Sequence, residues 1–113
     1  MQRSLLAAQQ AEKDNISVAV LDLRTIAPCD WDTIATYVKR VNRVIVAHED
    51  HLTCGFGAEV AARISEELFE HLDAPVTRIG AMDTPVAYAP ELEEVILPQT
   101  EDLVRAIEKV AAY

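Results

Sequence analysis

Hydrophobic positions along the chain follow two patterns, one typical of buried strands and the other of amphipathic helices. Three short apolar runs, Ile16–Leu23, Arg43–Ala47 and Pro75–Ile79, predict buried parallel strands. Apolar residues at helical spacing predict four helices: residues 1–14, Trp31 to about Arg40, Gly55–His71, and a last helix that begins at Pro98 or Gln99. Because helices and strands alternate, we predict an α/β fold with an open, mostly parallel sheet covered by helices on both faces.

The apolar stripe of each predicted helix is expected to pack against this sheet. In chain order, the stripes contain Leu5, Leu6 and Ala8; Ile34, Val38 and Val41; Phe56, Val60, Ile64 and Leu68; and Leu103, Ile107 and Val110. Asp30 is placed to cap the second helix, and Pro28 prevents the first strand from continuing as a central strand. Residues 90–97 are predicted to be irregular or a short helical turn.

The composition indicates one globular domain and argues against several kinds of partner. The chain has 113 residues, half of them hydrophobic, and a formal net charge of −9. This charge argues against nucleic acid and anionic membranes and favours a basic protein partner. Cys29 and Cys54 form no CxxC pair, no apolar run approaches the ~20 residues of a membrane span, and the N-terminus is not of the signal type. We therefore expect a bacterial cytoplasmic protein or, alternatively, a protein of the mitochondrial matrix.

The loop after the second strand contains residue types that bind metals. His48, His51 and Cys54 are spaced three residues apart, and imidazole and thiolate are zinc ligands. No fourth ligand is evident, and the two histidines are one residue too close for the HExxH pattern. We predict no metal site here.

Gly55-Phe56-Gly57 opens the longest predicted helix, where free N–H groups are able to bind a phosphate. The other interpretation is close packing of the helix start on the sheet, with Phe56 in the core. Since no basic residue follows before Arg63, packing is favoured.

Asp22 and Glu49 lie near the ends of two predicted strands, with His48 beside Glu49. Open α/β sheets bind ligands in the crevice at the carboxyl ends of their strands, and paired carboxylates there serve acid–base chemistry. A free-standing regulatory or ligand-binding domain is the alternative function that this crevice suggests. The structural interpretation, an ion pair of Asp22 with Arg24 and a neighbour contact for Glu49, is favoured.

Four acidic residues lie late in the longest helix and just after it, and we call them the acidic cluster: Glu66, Glu67, Glu70 and Asp73. Carboxylates at a helix C-terminus oppose the helix dipole. Either this arrangement is neutral, or a basic partner docks there, and both interpretations are open at this point.

Several motifs together carry a family resemblance. They are DLRT followed by Pro28 and Asp30, HE followed by GFGAE, LDAP, DTPVAYAP and LEEVILP. With them the chain resembles, from its first helix to its last residue, the transketolase-like C-terminal domain of the beta chain of thiamine-diphosphate-dependent 2-oxo acid dehydrogenases. That family includes the decarboxylating components for pyruvate, branched-chain 2-oxo acids and acetoin.

The resemblance implies a three-layer α/β/α sandwich that lacks the strand with which the family domain usually begins. Residues 1–113 are then a single domain and a fragment of a longer chain. The parent enzyme would oxidatively decarboxylate a 2-oxo acid and acylate lipoyl groups. Its thiamine diphosphate and Mg²⁺ would bind elsewhere, so this segment is expected to hold no catalytic, cofactor or metal residue and to be inactive alone.

The implied function is assembly within a multienzyme complex. The expected partners are an alpha chain or alpha-like segment, a second beta copy, and the subunit-binding domain of the dihydrolipoyl acyltransferase. In the family, the acid of the LDAP-like stretch and the C-terminal carboxylate dock that last domain, and here they match Asp73 and Tyr113. Asp22, His48 and Glu49 are candidate interface or crevice residues.

Overall fold

A computed structural model describes all 113 residues and places helices on both faces of a small parallel sheet. Its elements are α1 (Gln2–Lys13), α2 (Trp31–Val41), β1 (Ile45–His51), α3 (Phe56–Glu67), a 3₁₀ turn (Phe69–His71), β2 (Thr77–Ala81), α4 (Pro90–Ile96) and α5 (Thr100–Ala111). The four predicted helices are confirmed, and the uncertain segment at 90–97 contains the short helix α4. None of these helices has the length and apolar character that crossing a bilayer requires.

Two hydrophobic cores lie on opposite faces of the sheet, as the predicted α/β/α class requires. Since side chains alternate along a strand, Val44 and Val46 point to one core and Ile45 to the other. The buried residues of the first core come from α2, α3 and the residue that follows α3: Ile34, Val38, Val60, Ile64 and Leu68. The second core joins α1 to α5 through Ala7, Ala11, Leu103 and Ile107.

The predicted strand Ile16–Leu23 is wrong as a hydrogen-bonded strand. Residues 16–20 alternate between half-buried and exposed, as in an extended chain, but residues 16–23 belong to no sheet. The sheet therefore has two strands and not the predicted three, paired in parallel with Ile45 opposite Thr77. The physical reason is the lack of a strand between residues 16–23 and β1, where the structure has cavities.

Some predicted boundaries and faces are also corrected. Strand β1 extends to His51 and so includes residues predicted to lie in a loop, and α3 ends at Glu67 before a separate 3₁₀ turn. In α1 the buried residues are Ala7 and Ala11, whereas Leu5 and Leu6 are about half exposed, because small side chains let α1 approach α5 closely.

The predicted cap of α2 is confirmed. The carboxylate of Asp30 accepts hydrogen bonds from the hydroxyl and the main-chain N–H of Thr33, which lower the pKa of Asp30 below its usual value. In α2, Ile34 and Val38 are buried as predicted, but Val41 stays 39% exposed. Val41 lines the cavities beside β1, where no strand covers it.

Candidate functional site

Asp73 is held close to the C-terminal end of α2. Its main-chain N–H donates to the carbonyl of Asn42 at 2.8 Å, and the side-chain amide of Asn42 donates to the carbonyl of His71 at 2.7 Å. Asn42 adopts the left-handed conformation, with φ of 62°, that ends α2. These bonds hold the loop that carries the Asp73 carboxylate beside Arg43, the residue that follows Asn42.

Arg43 brings the two predicted docking groups together. Its Nη1 lies 3.7 Å from Oδ2 of Asp73, and its Nη2 donates to the terminal carbonyl oxygen of Tyr113 at 2.6 Å. The side chain of Asp73 is 59% exposed and that of Arg43 is 37% exposed. We call these three residues the Arg43 clamp. It brings the Asp73 carboxylate and the main-chain oxygen of Tyr113, from distant parts of the chain, to one accessible surface.

Acidic residues precede Asp73 in the sequence. Glu66 and Glu70 of the acidic cluster are exposed. Glu67 differs from them, because it pairs with Arg63 at 2.7 Å. Only a protonated His71 would neutralise Glu70, at 3.6 Å. Exposed carboxylates of this kind favour a cationic partner.

Arg43, which joins Asp73 to Tyr113, is a residue that the sequence does not single out. The sequence predicts it only as the first residue of an apolar strand, and its partner Tyr113 is 70 positions away. A charged residue at the start of an otherwise apolar run was the single available signal.

His48 lies in a cradle of three glycines. Cε1 of its ring is 3.0 Å from the position that a Cβ on Gly55 would occupy and 3.1 Å from that of Gly80, and a Cβ on Gly57 would overlap Nε2 and Cδ2. Phe56 packs against the first core. The packing interpretation of Gly55-Phe56-Gly57 is therefore confirmed, and both buried ring nitrogens of His48 lack a hydrogen-bond partner.

His51 and Cys54 do not join His48 in a common site. Nε2 of His51 lies 2.7 Å from the carbonyl oxygen of Thr84, and Cys54 is exposed with φ of 61°. No group of three or more His, Cys, Asp or Glu side chains is placed to hold a metal ion. His51, the last residue of β1, instead ties the end of that strand to the loop after β2.

A second tie between the same loops is carried by Asp83. The hydroxyl of Thr53 donates to its carboxylate, and the N–H of Thr53 donates at 3.2 Å. These bonds lower the pKa of Asp83 below its usual value. The loop after β1 and the loop after β2, which contain parts of the family motifs, are thus fixed to each other.

The candidate crevice residues are not brought together. Asp22 accepts from the N–H and Nε of Arg24, each at 3.3 Å, so the structural ion pair is the arrangement that forms. Glu49 is exposed, and its side chain makes no hydrogen bond or ion pair. Neither residue lines the cavities beside β1.

The described residues do not fit a thiamine diphosphate–magnesium group. The ring of His48 fills the space beside Gly57 at the start of α3, where a phosphate would have to approach. The cavity of about 540 Å³ beside β1 is lined mostly by hydrophobic residues, with Arg43 as its one charged residue and no carboxylate for Mg²⁺.

Comparison with known proteins supports the resemblance. The family model described as "Transketolase, C-terminal domain" matches residues 1–103. The chain is 41% identical over 110 residues to the "Pyruvate dehydrogenase E1 component subunit beta" of Rickettsia conorii, covering 97% of this chain and 34% of that protein. It is 42% identical to the mitochondrial protein of that name from Pisum sativum, covering 94% of this chain and 30% of that protein.

A solved structure has the same fold. It is described as "Split gene transketolase, inactive beta4 tetramer", with a TM-score of 0.80 and 26% identity, and the match covers 98% of this chain and 35% of that chain. The chain spans about a third of the curated relatives it matches. The family model and the solved structure each match almost the whole chain. The chain therefore belongs to the transketolase C-terminal domain family.

Proposed function

We propose that the chain is an assembly domain of the decarboxylating component of a 2-oxo acid dehydrogenase. Its Arg43 clamp docks the basic subunit-binding domain of the dihydrolipoyl acyltransferase. The names of the relatives support the parent enzyme and favour pyruvate over branched-chain substrates. The observation that supports the docking role is that Arg43 contacts both the Asp73 carboxylate and the main-chain oxygen of Tyr113.

The clamp suits an arginine-rich partner for physical reasons. Carboxylate oxygens accept charge-assisted hydrogen bonds, and arginine offers a planar fork that engages them in bidentate geometry. Because Arg43 already orients both carboxylates, less side-chain entropy is lost when the partner binds. Complementary potentials also speed the encounter of the two proteins.

Pairing with an alpha chain and a second beta copy is the other part of the proposed assembly role. The segment after β2 carries large apolar residues that are at least half exposed: Met82, Val86, Tyr88, Leu92 and Val95. Exposed apolar side chains gathered in one segment are typical of protein interfaces. No residue of this segment belongs to the Arg43 clamp.

In this proposal the parent enzyme decarboxylates the 2-oxo acid and acylates lipoyl groups with thiamine diphosphate and Mg²⁺ bound outside this domain. The 113-residue chain is therefore expected to be inactive and to bind neither cofactor. Calorimetric titration with thiamine diphosphate and MgCl₂ should give no binding heat above the dilution control. A micromolar dissociation constant would contradict the assignment of this chain to assembly.

The docking role is tested by titrating the chain with the purified subunit-binding domain at several salt concentrations. We expect saturable binding whose association rate falls as NaCl is raised, because salt screens the attraction between opposite charges. Binding with a salt-independent association rate, or no binding at any salt concentration, would exclude the clamp as an electrostatic docking site.

The alternative function, a free-standing regulatory or ligand-binding domain at the Asp22–Glu49 crevice, has no geometric support. Asp22 is engaged by Arg24, and no contact joins it to Glu49. The crevice is therefore not proposed as a site.

A further inference from the structure

From Phe56 to Leu72, Phe69 is the one large apolar residue that is exposed. Its exposed fraction is 75%. The large apolar residues before and after it pack in or against the first core: Phe56, Val60, Ile64, Leu68 and Leu72. Phe69 belongs to neither core and lines neither cavity beside β1. Its exposure therefore does not arise from the strand that the sheet lacks.

Phe69 is held at a short distance from the Arg43 clamp. Its carbonyl accepts from the N–H of Leu72 at 3.1 Å, which closes a turn between Phe69 and Asp73. Because these two residues are four positions apart, their Cα atoms are separated by at most about 15 Å. A typical protein interface covers about 800 Å² on each partner, which is a patch about 30 Å across. A domain that docks at Asp73 is therefore able to reach Phe69.

The sequence on both sides of Phe69 is acidic. Glu66 is exposed, and the side chain of Glu70 is 83% exposed. An aromatic ring carries negative partial charge on its face, and this face attracts cations, most often the guanidinium of arginine. The ring and the carboxylates therefore favour the same kind of partner group, a cation.

An arginine that uses a ring and a carboxylate together is already present in this chain. Cζ of Arg63 lies 3.9 Å from the centroid of the Trp31 ring, and Nε of Arg63 donates to the carboxylate of Glu67 at 2.7 Å. Phe69 offers a ring and has exposed carboxylates beside it in sequence, but no cation of this chain lies over its ring. The arginine that would complete the arrangement has to come from a partner.

We propose that Phe69 receives an arginine side chain of the subunit-binding domain, which stacks on the ring and donates to Glu66 or Glu70. This contact rests on the proposed docking function and adds a specificity determinant to it. A planar, weakly hydrated guanidinium stacks well on an aromatic face, whereas the compact ammonium of lysine is strongly hydrated. The ring therefore selects arginine over lysine at this position of the partner.

The test is a calorimetric titration of the 113-residue chain and its variants with the purified subunit-binding domain. Phe69→Leu keeps an apolar side chain but removes the ring, and it should weaken binding by about fivefold or more. Phe69→Tyr keeps the ring and should change the affinity less than twofold. Tyr88→Leu is the matched control, because it removes a ring that is 94% exposed outside this surface, and it should leave binding unchanged. All three variants should keep the denaturant midpoint of the wild type, since both residues are exposed.

The partner side of the contact is tested by changing the surface arginines of the subunit-binding domain to lysine, one at a time. One of these changes should weaken binding to the wild-type chain by about fivefold or more and binding to Phe69→Leu less than twofold. Two residues that contact each other give such non-additive losses in a double-mutant cycle.

The outcomes separate this contact from the docking role on which it rests. Absence of binding by the wild-type chain would overturn both. Binding that Asp73→Ala weakens and Phe69→Leu leaves unchanged would overturn the arginine contact alone. Equal losses for Phe69→Leu and Tyr88→Leu, equal losses for Phe69→Leu and Phe69→Tyr, or a dimer of the chain that Phe69→Leu dissociates would also overturn it.

Discussion

Replacement of Asp73 by alanine is expected to weaken binding of the subunit-binding domain by at least tenfold, which is about 1.4 kcal/mol. The substitution removes the side-chain carboxylate of the Arg43 clamp and leaves a cation of the partner without its counter-charge. Truncating one member of a desolvated charge pair typically costs ~2–5 kcal/mol. The measurement is a calorimetric titration of wild type and variant at one salt concentration.

The matched control is Glu12→Ala, which changes the net charge by the same amount. Glu12 is exposed on α1 and makes no ion pair or side-chain hydrogen bond. Its removal should change the affinity less than twofold. Equal losses for Asp73→Ala and Glu12→Ala would mean that total charge, and not the clamp, determines binding.

A chain extended beyond Tyr113 should lose affinity to a similar degree, because the terminal carboxylate is moved away from Arg43. Arg43→Gln is then expected to weaken docking less in the extended chain than in the wild type, because only its contact with Asp73 remains to be lost. Residues that act through a shared contact give such non-additive effects in a double-mutant cycle. Strictly additive losses would show that Arg43 does not position the carboxylate.

Gly57→Ala is expected to lower the folding stability of the domain. The added methyl group would overlap Nε2 and Cδ2 of the buried His48 ring, and overpacking of this kind costs ~1–3 kcal/mol. Denaturant unfolding of the variant should therefore give a lower midpoint with an unchanged slope.

The same substitution made in a His48→Ala variant, the His48→Ala background, tests whether the His48 ring causes the loss of stability. Without the imidazole, Gly57→Ala should become neutral or stabilising, since alanine has a higher helix propensity than glycine by up to about 1 kcal/mol. Gly55→Ala is the control, because its Cβ would overlap the main-chain oxygen of His51, which the background does not remove. Rescue of both glycine variants, or of neither, would contradict the proposed role of His48.

The helices and the two cores are predictable because periodicity reports which face of an element is buried. Val60, Ile64 and Leu68 at four-residue steps are all in the first core, and Asp30 caps α2 as its side chain suggests. Residues 16–23 show the limit of this reasoning. Their composition predicts a strand, but a strand needs a hydrogen-bonded neighbour, and the neighbour is not encoded in the run itself.

The site was predictable only in part, for a related reason. Asp73 and Tyr113 come from the family resemblance, and the structure places both at one surface. Arg43, which joins them, depends on contacts across 30 and 70 positions of the chain that no local pattern reports. Likewise, the glycines at 55 and 57 suggest close packing, but the packed group, His48, is visible only in three dimensions.

The most direct test of the docking role is a map of the bound surface. Amide chemical shifts of the ¹⁵N-labelled chain should be followed while the unlabelled subunit-binding domain is added. We expect the largest changes at Arg43, at residues 71–73 and at residues 111–113, with residues 82–95 unaffected. Changes confined to residues 82–95, with Arg43 and Asp73 unperturbed, would contradict docking at the Arg43 clamp.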